Sequence, residues 1–482
     1  MSISSALNNA ISGLTVTSRM AEAVSSNLSN ALTEGYGKRS VELSSVQTGN
    51  VGGGVQIAGI TRHSDPGLLA DRRLADAELG NRQTAVNSLT RLEQAVGAVD
   101  DPNNLVAKLA AFETALISAA SDPASDTRLA TVVDRLSDLA DTLNNNSRSI
   151  QKQRQEADAA IASDVERLNG SLQQIEKLNA DILRIGSSGQ DVSALVDARQ
   201  VAVDSISGIV PIRQINRENG TIGLMTTSGV TLLDTQAVEL GFTPTPIITA
   251  DMTYASDALG GVTIDGSALD NDGGARRLGG GSLGAAFALR DETLVDLQQS
   301  LDDVAVDIVS RFQDPATDPT LTTGTLGLLT DGGSVFDPAD TMGLAGRVSV
   351  NPSVVTASGG DPSLLRDGMN AATPRASGDA VQLNRWLDAL GETRADVVGS
   401  ASRTAAGRIA EFTSLMGSMR VQAEEQLSFS AARWDTLTQA ELANGVDTDI
   451  ELQTLMRVEQ AYAANAKVLE AADFMMQRLM EI

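Results

Sequence analysis

The chain has 482 residues, and its 62 Asp and Glu against 36 Lys and Arg give a formal net charge of −26. Such a surface repels phosphate backbones and anionic lipid, which argues against nucleic-acid partners and against membrane insertion. With no cysteine there are no disulfides or thiol sites, and the single histidine, His63, leaves imidazole chemistry without its usual partners.

The first residues, MSISSALNNAISGLTVTSR, have no basic start and no long apolar block, so they do not read as a secretory signal peptide. No stretch approaches the ~20 apolar residues of a membrane-spanning helix. Instead Leu7, Leu14, Ala21 and Leu28 recur every seven residues, with Ile3, Ile11, Val24 and Leu32 on the same stripe. That repeat predicts a helix that packs along another helix, ending near Leu32 where Gly35 and Gly37 follow. Residues 41–67 alternate weakly around Gly49 and the glycines at 52–54, and are expected to be a linker with short extended segments.

Helical spacing returns over 68–99, breaks at Pro102, and resumes through Leu105, Leu109, Phe112 and Leu116. From Leu129 through Leu143, Ile150, Ile161, Leu172 and Ile185 a three-four spacing runs without a proline. It predicts one helix of roughly 85 Å, a length suited to rods and bundles. After Ile206 three short apolar runs are punctuated by Asn219-Gly220 and Ser228-Gly229, so 209–275 reads as a small β subdomain. Helix is expected over 284–313. The proline- and glycine-rich stretch 314–378 is expected to be a loop-rich outer insertion facing solvent, with one strand at 347–350.

Two further helices, near 380–398 and 402–442, lead to a terminal one in which Leu455, Tyr462, Leu469 and Met476 again recur every seven residues. Isolated helices are marginal in water, so the two ends are expected to pair with each other, with neighbouring copies, or with both. The fold class expected is mainly α: a long helical bundle built from N- and C-terminal segments, with a small inserted β subdomain and a loop-rich insertion. Residues 1–40 plus 443–482 form a terminal assembly domain in this reading. Residues 68–208, 276–313 and 379–442 form the bundle. The expected assembly interface is Leu7, Ile11, Leu14, Leu28, Leu32, Leu455, Tyr462, Leu469 and Met476.

Both ends carry recognisable motifs. Residues 12–14 (S-G-L), 27–30 (Asn27 and Asn30 bracketing Leu28) and 33–36 (with Gly35 and Tyr36, then Arg39) resemble the N-terminal motif of flagellar rod, hook and hook-associated proteins. Residues 445–447 and 460–468, with Gln460 and Asn465, resemble the matching C-terminal motif. In the middle, GGGSLGAAFALRDE and DVSALVDARQ are similar to blocks of the hook-associated protein 1 family, although Gln200 stands where that family usually has Asp. The resemblance implies a structural, non-enzymatic subunit of the junction between hook and filament, without cofactors. It implies secretion through the flagellar type III export apparatus, with a cytoplasmic export chaperone on the C-terminal helix. It also implies assembly as a ring of about eleven copies between hook protein and hook-associated protein 3. Longer relatives carry a large outer β domain where this chain has only 314–378.

Rival motifs are weaker. Gly279, Gly281 and Gly284 satisfy G-x-G-x-x-G, but a polar turn precedes them instead of the buried strand a dinucleotide site needs. Asp270 and Asp272 open like a calcium loop, but Ala275 occupies the glycine position and no Glu closes it. His63 has nothing nearby to orient it as a base. Other readings are a different axial protein, such as hook protein or hook-associated protein 3, and more distantly a cell-wall hydrolase on a helical stalk, for which no segment offers paired acids or a nucleophile.

Overall fold

The computed structural model describes residues 3–48, 51–97, 101–269, 277–395 and 402–480. In chain order they form α1 (Ile3–Ser29), β1 (Lys38–Thr48), β2 (Val51–His63), α2 (Pro66–Val96), α3 (Leu105–Ser121), α4 (Asp126–Gly186) and α5 (Ser193–Ser207). Six short strands follow: β3 (Ile212–Asn216), β4 (Ile222–Thr226), β5 (Thr231–Leu233), β6 (Leu240–Gly241), β7 (Thr263–Ile264) and β8 (Ser267–Ala268). Then come α6 (Gly281–Ala288), a π turn (Leu289–Thr293), α7 (Leu294–Gln313), β9 (Leu329–Asp331), β10 (Val348–Val350), α8 (Leu364–Asp367), α9 (Val381–Gly391), α10 (Ala405–Ala443) and α11 (Thr448–Met480). No helix of the described residues is long and apolar enough to cross a membrane.

The 61-residue α4 is the spine. Its first half, from Leu129 to Ala157, lies in one apolar core with α3, α7, α9 and the start of α10. Its second half, from Ile161 to Ile175, lies in another with α5, α6 and the strands β3–β6. The helix can serve both because no proline interrupts it and its apolar spacing resumes beyond a short polar stretch. Between the cores sits a polar layer. Arg290, fully buried, donates to Asp158 Oδ1 at 2.6 Å and to Asp291 Oδ2 at 2.7 Å, and its guanidinium lies 5.0 Å from the Phe287 ring centre. The π turn holds this residue, and the Arg290 carbonyl accepts from Arg154 Nε at 2.8 Å.

Local chemistry sets the element starts. Asp65 caps α2, accepting from Gly67 N and Leu68 N, with Pro66 at the first helical position. Asn104 caps α3 and Thr404 caps α10 in the same manner. At the expected hairpin turns Gly220 and Gly229 take φ of +78° and +93°, a region in which a side chain is strained. They join β3, β4 and β5 into an antiparallel sheet. Residues 270–276, which contain Asp270, Asp272 and Ala275, lie outside the described residues.

Two expectations are corrected. Residues 41–67, expected to be a linker, contribute most of an antiparallel ribbon in which Lys38 pairs with His63 and Thr48 with Val51, with irregularities at Glu42/Leu43 and Ser45/Gln47. The irregularities break the alternation that marks a strand, and packing on α1 supplies the support that a lone hairpin lacks. Residues 314–378, expected to face solvent, are part of the first core. Leu328, Leu344, Ala345, Val354 and Leu365 are fully buried, and β9 pairs with β10 beside α4 and α7. Their apolar residues sit on 3-10 turns and three-residue strands, so they carry no helical or strand period. Smaller differences are that helix starts at Gly281 instead of 284, and that the segment near 380–398 ends its helix at Gly391.

A buried carboxylate fastens this segment to α7. Asp302 accepts from Gly343 N at 2.7 Å, Ala345 N at 2.9 Å and Gln298 Nε2 at 2.9 Å. Burial pushes its pKa from 3.8 up to about 6, against the pull of those bonds. A carboxyl whose folded pKa is raised holds its proton more tightly when folded. Its stabilising contribution is complete below pH 3.8 and disappears as the pH rises through about 6. The stability difference between the parent and Asp302→Asn should therefore shift in the parent's favour as pH falls from 7 to 4, by on the order of 2–3 kcal/mol. Urea melts of both proteins across that range measure it, and parallel curves would refute the assignment.

Candidate assembly interface

The two ends of the chain form an antiparallel helix pair. Asn27 near the end of α1 donates to Glu451 Oε2 near the start of α11 at 3.1 Å, and Gly13 faces Asn465. A Cβ on Gly13 would meet the Asn465 amide at 2.6 Å, so the close approach needs glycine. The buried residues of the two helices are Ala10, Val16, Thr17, Val24 and Asn27 on α1, and Glu451, Val458 and Ala472 on α11. They are mostly small or polar.

The expected interface residues flank this seam. Leu7, Leu14, Leu28, Leu455 and Leu469 are half-buried, whereas Ile11, Tyr462 and Met476 are exposed, and Leu32, beyond the end of α1, is 99 % exposed. Among the described side chains of α11, nine large apolar ones are exposed, from Ile450 and Leu452 through Met456 and Val468 to Phe474, Met475 and Met480. They lie on several sides of the helix, so α11 leaves apolar side chains for more than one neighbour to cover.

The N-terminal motif residues Asn27, Gly35 and Tyr36 meet at the base of the pair. Asn27 Oδ1 accepts from the Tyr36 hydroxyl and from Arg39 N, each at 2.9 Å, while its Nδ2 donates to the Arg39 carbonyl at 2.9 Å. Glu451 also holds Lys38 at 2.9 Å, so one buried carboxylate joins α1, β1 and α11. Gly35, at φ +74°, brings its backbone against Val201 of α5. Asp197 of α5 then receives Arg39 and Arg62, each at 2.7 Å, and Gly37 N at 3.1 Å. Gln200, the departure from the family pattern, accepts from Arg62 and donates to Glu441 at 3.4 Å. Asn30 bonds only locally, to the Ser26 carbonyl and to Thr33, and Gln460 is exposed.

A second ionic node ties the body together beside the first. Arg72 of α2 lies 2.8 Å from Asp76, 2.8 Å from Asp204 and 2.5 Å from Glu441. Burial alone would lower the Arg72 pKa, but the three carboxylates outweigh it and raise the value. Burial raises that of Glu441 despite Arg72. The same antiparallel α2–α10 pair is laced by Arg420–Glu93 at 2.7 Å and Arg433–Glu78 at 2.9 Å. Sequence reasoning named Asn27, Gly35 and Tyr36 but missed Glu451, Asp197 and Arg62, whose charges give no sign of where the fold will bury them.

The other candidates dissolve in the structure. Gly281 must approach the Ile209 carbonyl so closely that a Cβ would lie 2.0 Å from it. Ser282 N and Leu283 N donate to the carbonyls of Gly208 and Ile209 at 2.9 and 3.2 Å. The glycine run thus serves backbone packing, and those two donors are not available to a phosphate. His63 Nε2 contacts Ser40 Oγ at 2.7 Å across the exposed ribbon.

Residues 89–327 match the flagellar hook-associated protein FlgK helical domain, and residues 441–482 match the C-terminal family of flagellar basal body rod FlgEFG proteins. Flagellar hook-associated protein 1 of Salmonella typhimurium is 26 % identical over 326 residues, covering 64 % of this chain and 56 % of that protein. The protein of the same name from Bacillus subtilis is 20 % identical over 493 residues, covering 94 % and 93 %. The chain thus spans 56 % of the length of the Salmonella relative. Its fold resembles that of the flagellar hook junction protein FlgK from Burkholderia pseudomallei, with a TM-score of 0.57 and 14 % identity over 77 % of this chain and 99 % of that one.

Proposed function

The chain belongs to the flagellar hook-associated protein 1 family, and from that we propose that it is a structural subunit of the bacterial flagellum at the junction of hook and filament. The observation that supports the reading is the number of large apolar side chains that α11 leaves exposed while it is paired with α1 through Asn27 and Glu451. No large aliphatic side chain of α1 or α11 is fully buried among the described residues, so the pair leaves apolar surface for further contacts. Each large apolar side chain that a neighbouring copy covers contributes ~1.5–3 kcal/mol. In this reading the terminal domain is completed by assembly, when copies are aligned at a growing tip. Hook protein on one side, hook-associated protein 3 on the other, and a chaperone covering α11 before type III export are the partners this reading implies. The roles are binding and support, not catalysis.

Because Tyr462 and Met476 are both exposed, the double substitution Tyr462→Asp and Met476→Asp should leave the melting temperature and circular dichroism of the monomer unchanged. Cells carrying it should make hooks without filaments and release flagellin. Secreted amounts of the variant, measured in parallel, separate failed export from failed assembly. Filaments of normal length at normal secreted levels would overturn the proposal.

A further inference from the structure

Against a net charge of −26, one cavity of the protein is positive. It has a volume of about 190 Å³ and opens between the end of β2, the first turns of α2, α5 and the β3–β4 hairpin. Its charged lining residues are Arg62, Arg73 and Arg199, with no Asp or Glu among them. Arg62 and Arg73 are matched by carboxylates behind the wall, Asp197 at 2.7 Å and Asp204 at 2.6 Å.

Arg199 differs. It is 7 % exposed, and its Nη1 donates to Asn179 Oδ1 at 2.9 Å and to the Gly220 carbonyl at 2.8 Å. Among the described residues no carboxylate forms an ion pair with it, and none accepts from its Nε or Nη2. Burial, with repulsion from Arg62 and Arg73, lowers its pKa to about 10, which keeps it charged at neutral pH. A buried cation without a counter-charge is costly, and a chain with 62 acidic residues had ample means to pair it. The Nη1 bonds fix the guanidinium plane, and the remaining Nε and Nη2 edge presents two parallel donors, the geometry that grips two oxygens of one anionic group.

We propose that this cavity binds a small oxyanion, a carboxylate or phosphate group gripped by Arg199 with Arg62 and Arg73 on its flanks. Leu69, Val203, Ile212 and Ile222 form an apolar wall that suits a short hydrocarbon stem behind a carboxylate. Bound there, the anion bridges the ribbon, α5 and the β3–β4 hairpin, where the terminal segments meet the body. Binding to the folded state alone raises stability with anion concentration.

Thermal melts and calorimetric titrations of the full chain with sodium phosphate and with sodium propionate, each against sodium chloride at equal ionic strength, test this. A saturable rise in melting temperature and a single-site heat with either anion are expected, and the anion that acts identifies the class. Arg199→Gln should weaken binding at least tenfold. Ser64→Trp, at the exposed mouth, should do the same while preserving the melting temperature without anion, and it decides the matter if Arg199→Gln does not fold. The proposal fails if neither anion exceeds chloride, or if Ser64→Trp titrates like the parent.

Discussion

Excising residues 330–375 and bridging the gap with a short Gly/Ser linker is expected to unfold the half of the body built on α3, α7 and α9. Read as an outer loop, this segment would be dispensable, because loop length costs only ~0.6 kcal/mol per doubling. Its burial reverses that expectation. Leu344, Ala345, Val348, Val354, Leu365 and Met369 all lie in the first core. At ~1.5–3 kcal/mol for each large apolar side chain, their loss approaches the whole stability of a domain, about 5–15 kcal/mol. Two polar anchors are lost with them. The fully buried Trp386 donates to the Leu365 carbonyl at 3.1 Å, and Asp318 accepts from Met369 N at 2.8 Å. The Trp386 ring also packs at a tilt with its centre 5.5 Å from that of Phe312, which meets Phe112 edge-on at 5.9 Å, so the damage reaches α7 and α3. Circular dichroism and urea melts of the deletion protein should show lost helix and an early first transition. Parent-like helical content would restore the outer-loop reading.

What was legible in the sequence was whatever kept a regular period. α4 could be read because its apolar positions hold one spacing for 61 residues, and the β3–β5 turns because Gly220 and Gly229 punctuate short apolar runs. The ribbon was obscured by its glycines and irregular register, which remove the alternation that marks a strand. The 314–378 segment was misassigned because burial there is set by tertiary neighbours, while its own turns carry no period. At the terminal pair the large leucines suggested the seam, yet the close approach at Gly13 and Asn465 favours Ala, Thr and Val between the helices and leaves the larger side chains at its edges. The motif residues of the N-terminal node were visible as a resemblance. Their partners Glu451 and Asp197 were hidden, since a charged residue reads as solvent-facing until the fold supplies a cation.

The polar layer between the two cores carries the other large effect. Asp158 is 1 % exposed and accepts from Arg290 Nη1 at 2.6 Å and from Thr245 N at 2.6 Å. Arg154, beside it, has its pKa lowered mainly by burial, with Asp291 raising it and Arg290 lowering it further. Four charges thus balance in a closed layer: Arg154 and Arg290 against Asp158 and Asp291. Asp158→Ala leaves that layer with a net positive charge, and Arg290→Met leaves Asp158 with a backbone amide alone. Breaking one side of a buried pair costs ~3–5 kcal/mol, whereas removing both can be far cheaper. Each single variant should therefore lose about that much, and the double variant clearly less than their sum. The layer lies where the two cores meet on α4, so either single variant is expected to split one urea transition into two, the β3–β6 half separating from the α3–α9 half. A single undivided transition shifted by less than about 1 kcal/mol would mean that α4 alone couples the cores.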